Sequence, residues 1–201
     1  MSKPKIGIIV GSTRPGRFAD HPTEWIAELA KARGDIEVET LDLRDYPMPF
    51  FQEAGGPAYT PVTDETAKRW QQKIASLDGF IVIAAEYNRG PTAVLKNALD
   101  YAYNEWNKKA VGFVGYGGVG GARAVEQLRL HAVELQMAPI RSGVHILWPD
   151  MLAAKSEGKK LSEFAHLNKA ASDMLDQLVW WTKALKTARA VDAQAADIKA
   201  A

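Results

Sequence analysis

Five apolar runs alternate along the chain with stretches whose hydrophobic residues recur at helical spacing. Ile6 to Val10 reads as a strand, and from Phe18 to Arg33 the side chains of Trp25, Ile26, Leu29 and Ala30 share one helix face until Gly34 stops it. Ile36 to Leu43 alternates apolar and polar positions, the signature of a second strand. Thr63 to Leu77 returns to helical spacing, with Thr63 or Asp64 as its N-cap. Phe80 to Ala85 (FIVIAA) is apolar without interruption, as a strand covered on both faces must be. Pro91 opens a helix to about Trp106, placed in the first turn where its missing N–H costs nothing. Val111 to Tyr116 predicts a fourth strand, Ala122 to Met137 a helix, Ile140 to Leu147 a fifth strand, and Leu161 to about Leu185 a last long helix.

Strand and helix in strict alternation predict an α/β fold: a doubly wound parallel sheet of five strands with helices on both faces. Five strands suit the flavodoxin-like order 2-1-3-4-5 better than the six of a full dinucleotide-binding domain. Residues 1–190 are expected as one such domain, and residues 191–201 as an alanine-rich polar tail that forms a fraying helix or packs on a partner. Arg44 to Val62 is the one long irregular segment, and its Pro47, Pro49, Pro57 and Pro61 exclude helix and central strand. Its aromatic residues Tyr46, Phe50 and Phe51 either roof a neighbouring subunit's active site or pack locally.

Composition narrows the function classes. Lys and Arg number 25 against 24 Asp and Glu, a net charge of +1, so no global field draws nucleic acid or an anionic membrane. The absence of cysteine removes disulfides, thiolate catalysis and Cys-ligated metal, and the four histidines are scattered without metal-ligand spacing, so no metal is expected. No apolar run approaches the roughly 20 residues of a membrane span, and a cytoplasmic location is the expectation.

Doubly wound sheets bind ligands beyond the carboxyl ends of their strands. Three loops fall there. In GSTRPGR, Gly11 allows a sharp exit from the strand, Ser12 and Thr13 offer donors, and Arg14 and Arg17 add cationic forks just before a helix N-terminus, a combination suited to phosphate. The Lys and spacing of a nucleoside triphosphate loop are missing; the plain alternative is a polar turn with solvated arginines. In the second loop, Glu86, Tyr87 and Asn88 offer an amide-rich edge and a flat surface to a planar heterocycle, although the segment reads equally as a turn in which Tyr87 merely packs. The third, GYGGVGG, matches G-x-G-x-x-G but follows the fourth strand and lacks the ribose-binding acid, which argues against a dinucleotide fingerprint. It is either a flexible turn or a bare backbone wall, at Gly115, Tyr116, Gly117 and Gly118, that lets a flat ring approach closely. A phosphate cradle, an amide edge and a glycine wall together suit one ligand, FMN.

GSTRPGR, AAEYNRGPTAVLKNALDYAYNEW and VGYGGVGGARAVEQLR resemble, in order and spacing, the NADPH-dependent FMN reductase family, over about Lys5 to Trp148. Ala85 stands where that family often has proline, and Arg89 where relatives are often smaller or differently charged. The resemblance implies a flavodoxin-like fold, bound FMN, NADPH or NADH as co-substrate, and a homodimer or homotetramer. It assigns the phosphate to Ser12, Arg14 and Arg17, the ring to Glu86, Tyr87 and Asn88 mainly through backbone groups, and the opposite wall to Gly115, Tyr116, Gly117 and Gly118. Hydride would pass from NAD(P)H to flavin N5 and on to a quinone or similar small electron acceptor by ping-pong kinetics. Backbone N–H groups at the N1 and O2 edge would hold the developing charge, so no catalytic side chain is named. Arg89 reads as a solvated arginine ahead of a cation for the extra phosphate of NADPH. The rival readings are a flavodoxin-type electron carrier and a flavin-binding regulatory module without a substrate site. A carrier is typically strongly acidic around the ring, which this chain is not.

Overall fold

A computed structural model describes residues 2–200. Four strands, β1 (Lys5–Val10), β2 (Glu37–Asp42), β3 (Gly79–Ala85) and β4 (Ala110–Tyr116), lie parallel in the order β2-β1-β3-β4. Beyond β4 the edge is built from two short pieces, β5 (Ala138–Pro139) and β6 (Val144–Ile146), both parallel to β4. The five-strand order 2-1-3-4-5 is thus present, with its last member broken in two. An unbroken strand over 140–147 is not formed. Three steps along β4, from Val111 to Val114, face five on the edge, from Pro139 to Val144. The surplus residues bulge outward, where Arg129 takes the carbonyls of Ile140 (2.5 Å) and Arg141 (3.0 Å) and Gln177 takes the Ser142 amide (2.8 Å).

Period-two alternation divides the core between the two faces. Ile6, Ile8 and Val10 of β1, with Ile81, Ile83 and Ala85 of β3, face α1 (Asp20–Ala32) and α6 (Ala165–Ala200). Ile9 of β1 and Phe80, Val82 and Ala84 of β3 face α2 (Glu65–Ala75), α3 (Ala93–Asp100) and α4 (Ala122–Glu134). On that second face Trp106 packs edge-on against Phe80 and Trp70, ring centroids 4.8 and 6.0 Å away. Each such pair adds about 0.5–1.5 kcal/mol beyond the burial itself. Trp106 reaches this position from a turn, because α3 ends at Asp100 rather than continuing to 106. The helical period saw the buried aromatic and took it for another helical turn.

The sequence pattern also missed a helix, α5 (Trp148–Ser156). It starts directly after β6 with Pro149 in its first turn, and the Asp150 carboxylate accepts the Leu147 amide at 3.3 Å. Proline followed by an acid was the available signal. α6 runs unbroken through residue 190, and Ala201, the end of the expected tail, lies outside the described residues. No helix among the described residues is long and apolar enough to cross a membrane.

At the amino ends of the strands, opposite the ligand side, Asp78 ties α6 to the sheet. Its carboxylate accepts from Lys186 (2.7 Å), Arg189 (2.8 Å) and the Lys5 amide (2.9 Å). Burial works to raise its pKa, but the bonds from Lys186 and the Lys5 amide outweigh it and leave the carboxyl below the usual range. A depressed folded pKa means the stabilisation is complete above the ordinary aspartate value and is lost as pH falls through the lowered one. Asp78→Asn is therefore expected to cost about 2 kcal/mol at neutral pH. In urea unfolding followed by circular dichroism, that difference from the unmutated chain should close on acidification below about pH 4.

Candidate functional site

Where β1 ends, Gly11 turns the chain so tightly that a Cβ there would lie 2.6 Å from the Ile83 carbonyl oxygen. The next carbonyls are all claimed by side chains. Thr92 Oγ1 donates to the Gly11 oxygen (2.5 Å), Arg17 to Ser12 (2.5 Å), and Arg44 to Thr13 (3.4 Å) and Arg14 (2.5 Å). With its oxygens drawn away, the loop keeps its N–H groups for something else. The amides of Ser12, Thr13, Arg14, Gly16, Arg17 and Phe18 donate to no protein acceptor among the described residues. α1 begins immediately after them, and its N-terminus has no capping side chain. Orphaned amides at an uncapped helix N-terminus make a cradle for an anion.

Arg17 holds this loop from beneath. It is buried and its guanidinium is fully engaged, by Asp42 at the end of β2 (2.7 and 2.5 Å), Asp20 (2.7 Å) and the Ser12 carbonyl. The bidentate bond from Asp42 outweighs the cost of burial and raises the Arg17 pKa further. Burial pulls the Asp42 carboxyl upward, but the Arg17 bond and the Arg44 amide bring it below the usual range. The charge of Arg17 is thus answered within the protein. Asp20 is only three residues from Arg17, whereas Asp42 comes from a different strand end, invisible to local sequence. Arg14 remains available, its guanidinium 5.4 Å over the Tyr87 ring.

The cradle opens into a cleft of about 380 Å³ lined by Arg14, Gly16 to Phe18, Glu86, Tyr87 and Tyr116 to Gly118, with Trp148, Met151, Leu152 and Lys155 of α5 forming a further wall. A second cleft of about 520 Å³ adjoins it through Arg14 and Tyr87 and includes Ser12, Thr92 and Phe50. Both volumes lie within the usual range for small-molecule sites. Ser12 and Tyr87 meet at the junction, hydroxyl to hydroxyl at 2.9 Å. Burial, and then the neighbouring Tyr87, push the Tyr116 phenol well above its ordinary pKa, so it stays protonated.

Of the other expected site residues, Glu86 reaches the cleft with its carboxylate already spoken for. Arg123 bonds it twice, through side chain (2.6 Å) and amide (3.1 Å), which caps the start of α4 and locks the second loop to the third. Asn88 is exposed and outside both clefts. With Arg89 it forms the tip of a two-residue hairpin at φ +49° and +71°, closed by paired bonds between Tyr87 and Gly90 (2.9 and 3.1 Å). Gly115 is buried in β4, where a Cβ would meet the Gly120 oxygen at 2.6 Å; it packs the glycine loop against itself. Gly118, unlike Gly115 and Gly117, has open space where a Cβ would stand, and it lines the cleft beside Tyr116 and Gly117. Sequence reasoning missed α5, Asp42 and Arg44, and of these only the Pro149-Asp150 pair left a local signal. In the proline-rich segment, Tyr46 packs on Trp70 and Phe51 on Tyr101, while Asn97 pins the backbone at Pro49 and Phe51 and leaves Phe50 exposed at the second cleft.

A parallel sheet in the order 2-1-3-4-5, with a cleft at its carboxyl end walled by the loops after β1, β3 and β4, makes this a flavodoxin-like α/β protein. The chain belongs to the NADPH-dependent FMN reductase family, whose model matches residues 4–147. It is 40% identical over 136 residues to an NAD(P)H-dependent FMN reductase of Schizosaccharomyces pombe, covering 67% of this chain and 68% of that one. It is 37% identical over 165 residues to an NAD(P)H-dependent FMN reductase of a Nectria species, covering 77% and 82%. Among solved structures, the flavoenzyme NAD(P)H:(acceptor) oxidoreductase FerB of Paracoccus denitrificans superposes with a TM-score of 0.72 at 22% identity, over 90% of this chain and 97% of that one.

The two partners of Arg17 should differ in worth. Asp42→Asn is expected to lower the unfolding free energy by roughly 2 kcal/mol, since it strands a buried guanidinium. Asp20→Asn, at a half-exposed carboxylate, should cost less than about 1 kcal/mol. Equilibrium denaturation of the two variants side by side measures the contrast.

Proposed function

We propose that this protein is an FMN-loaded NAD(P)H:acceptor oxidoreductase that passes hydride equivalents to a quinone or similar small acceptor. The observation that carries the reading is the set of orphaned amides at Ser12 to Arg14 and Gly16 to Phe18, which fits a monophosphate and needs no metal. In this reading those amides and Arg14 hold the flavin phosphate, while Ser12, Tyr87 and the bare backbone at Gly117 and Gly118 border the ring. Arg17 acts beneath the phosphate as the brace that keeps the Ser12 carbonyl turned away, and Glu86 acts by joining the two ring-binding loops. Asn88 contributes its left-handed backbone at the hairpin tip rather than its side chain.

When bound, the flavin supplies the two-electron chemistry; the protein supplies position and electrostatics. Donor and acceptor would share the open side of the cleft in turn, giving ping-pong kinetics. The cleft's one carboxylate, Glu86, is neutralised by Arg123, whereas Arg14 and Lys155 have no acidic partner among the described residues. A net positive cleft favours an anionic reduced ring and an anionic donor, which supports a reductase over an electron carrier or a silent regulatory module. A cytoplasmic homodimer or homotetramer completes the proposal. Leu130 and Val133, one helical turn apart on α4, are 69% and 63% exposed, the kind of apolar face a second copy covers.

Because the phosphate cradle is the anchor, FMN is expected to bind at least about 100-fold more tightly than riboflavin, the equivalent of two or so charge-assisted bonds. Titration of the stripped protein followed by flavin fluorescence measures both affinities, and equal values would overturn the reading. Arg14→Ala should weaken FMN about tenfold or more with little effect on riboflavin. Rapid NAD(P)H oxidation by the FMN-loaded protein in the presence of a quinone separates a reductase from a carrier or regulatory module.

A further inference from the structure

The wall supplied by α5 is the part of the cleft that the phosphate cradle does not explain. Trp148, Met151, Leu152 and Lys155 stand at positions i, i+3, i+4 and i+7, a single stripe of the helix, and all four line the cavity. Trp148 is 57% exposed and Leu152 46%, an apolar shelf left open to solvent. The stripe begins at an indole and ends, about 10 Å further along the axis, at an ammonium group.

Charge in the cavity is unevenly answered. Arg17 is taken up by Asp42 and Asp20, and Glu86 by Arg123. Arg14 lies over Tyr87 beside the cradle. Lys155 has no acidic partner among the described residues and sits on the wall formed by α5, so one bound monophosphate leaves a second cationic group unused. Arg89, the other cation near the second loop, is at the hairpin tip outside both clefts, with its carbonyl bonded by Gln127 at 2.8 Å.

We infer that the stripe of α5 is the seat of the reduced pyridine nucleotide, with Lys155 binding its phosphate groups while Trp148, Met151 and Leu152 cover its apolar ring surface. This rests on the oxidoreductase reading above and names which residues receive the electron donor. A planar ring joined by a short sugar to phosphate is the chemistry that an indole-to-ammonium stripe of this length accepts. Two sources of that phosphate exist in the donor, the pyrophosphate of both nucleotides and the 2′-phosphate of NADPH alone.

The test uses the FMN-loaded protein and its Lys155→Ala and Lys155→Arg variants, with NADP⁺ and NAD⁺ as non-reacting probes in calorimetric titration. Lys155→Ala is expected to weaken NADP⁺ roughly three- to tenfold, the loss of one charge-assisted contact at a partly exposed site, and Lys155→Arg to restore most of it. The KM for NADPH should rise by the same factor while kcat, FMN content and the KM for an uncharged quinone stay unchanged. A loss confined to NADP⁺ supports the inference with the 2′-phosphate as the group bound; a parallel loss for NAD⁺ supports it with the pyrophosphate. Unchanged affinity for both probes in Lys155→Ala, or an arginine variant as impaired as the alanine one, overturns it. A protein that refuses FMN altogether overturns instead the function on which it rests.

Discussion

Three peptide carbonyls after β1 are each held by a side chain, Gly11 by the Thr92 hydroxyl, Ser12 by the Arg17 guanidinium and Thr13 by that of Arg44. A peptide group has two ends, and fixing the oxygen on one side commits the N–H to the other. The direction of the loop's N–H groups thus depends on where its oxygens go. The arrangement requires that the buried Arg17 have its charge answered, which Asp42 and Asp20 provide. Buried ion pairs contribute little net stability once desolvation is counted, but they hold geometry well. Here the geometry held is that of the candidate phosphate site.

The remaining two loops are tied to each other rather than to the first. The bidentate contact of Glu86 with Arg123 joins the second loop to the start of α4, and the Glu86 amide donates to the Tyr116 carbonyl at 3.1 Å. The glycines between them have separate duties. Gly121, at φ +69°, would place a Cβ 2.6 Å from the Tyr116 amide nitrogen, so it serves the loop's own compaction, while Gly118 leaves the cleft side bare. Most glycines of this loop thus permit close backbone contact, and Gly118 is left open on the cleft side.

The broken edge strand has a functional consequence. By bulging outward between Pro139 and Val144, the chain re-enters the sheet late, so that β6 ends level with the glycine loop and α5 starts at the ligand side of the molecule. His145 secures that level with a bond from its Nδ1 position to the Gly120 carbonyl oxygen at 2.9 Å.

Local pattern was sufficient for most of the fold. The apolar runs at Ile6 to Val10, Phe80 to Ala85 and Val111 to Tyr116 are strands because nothing else buries five or six consecutive residues on two faces, and their alternation with amphipathic helices dictates a parallel sheet. The loops at their carboxyl ends, with Ser12, Arg14, Tyr87 and Gly118, were legible for the same reason: the chemistry of each is written in adjacent residues. Family membership followed from the order and spacing of those loops. What only the tertiary structure decided is which charges remain available. Arg17 and Arg14 look alike in sequence, but Asp42, 25 residues away from Arg17, claims one and leaves the other. Asn88 and Gly115 carry the right chemistry and are turned from the cleft by a hairpin and by a backbone contact. Lys155 reached the cleft through a helix with no strong period and an edge strand with an unpredictable bulge. Pairing between distant strand ends and the direction of a side chain depend on long-range packing, which a one-dimensional pattern does not encode.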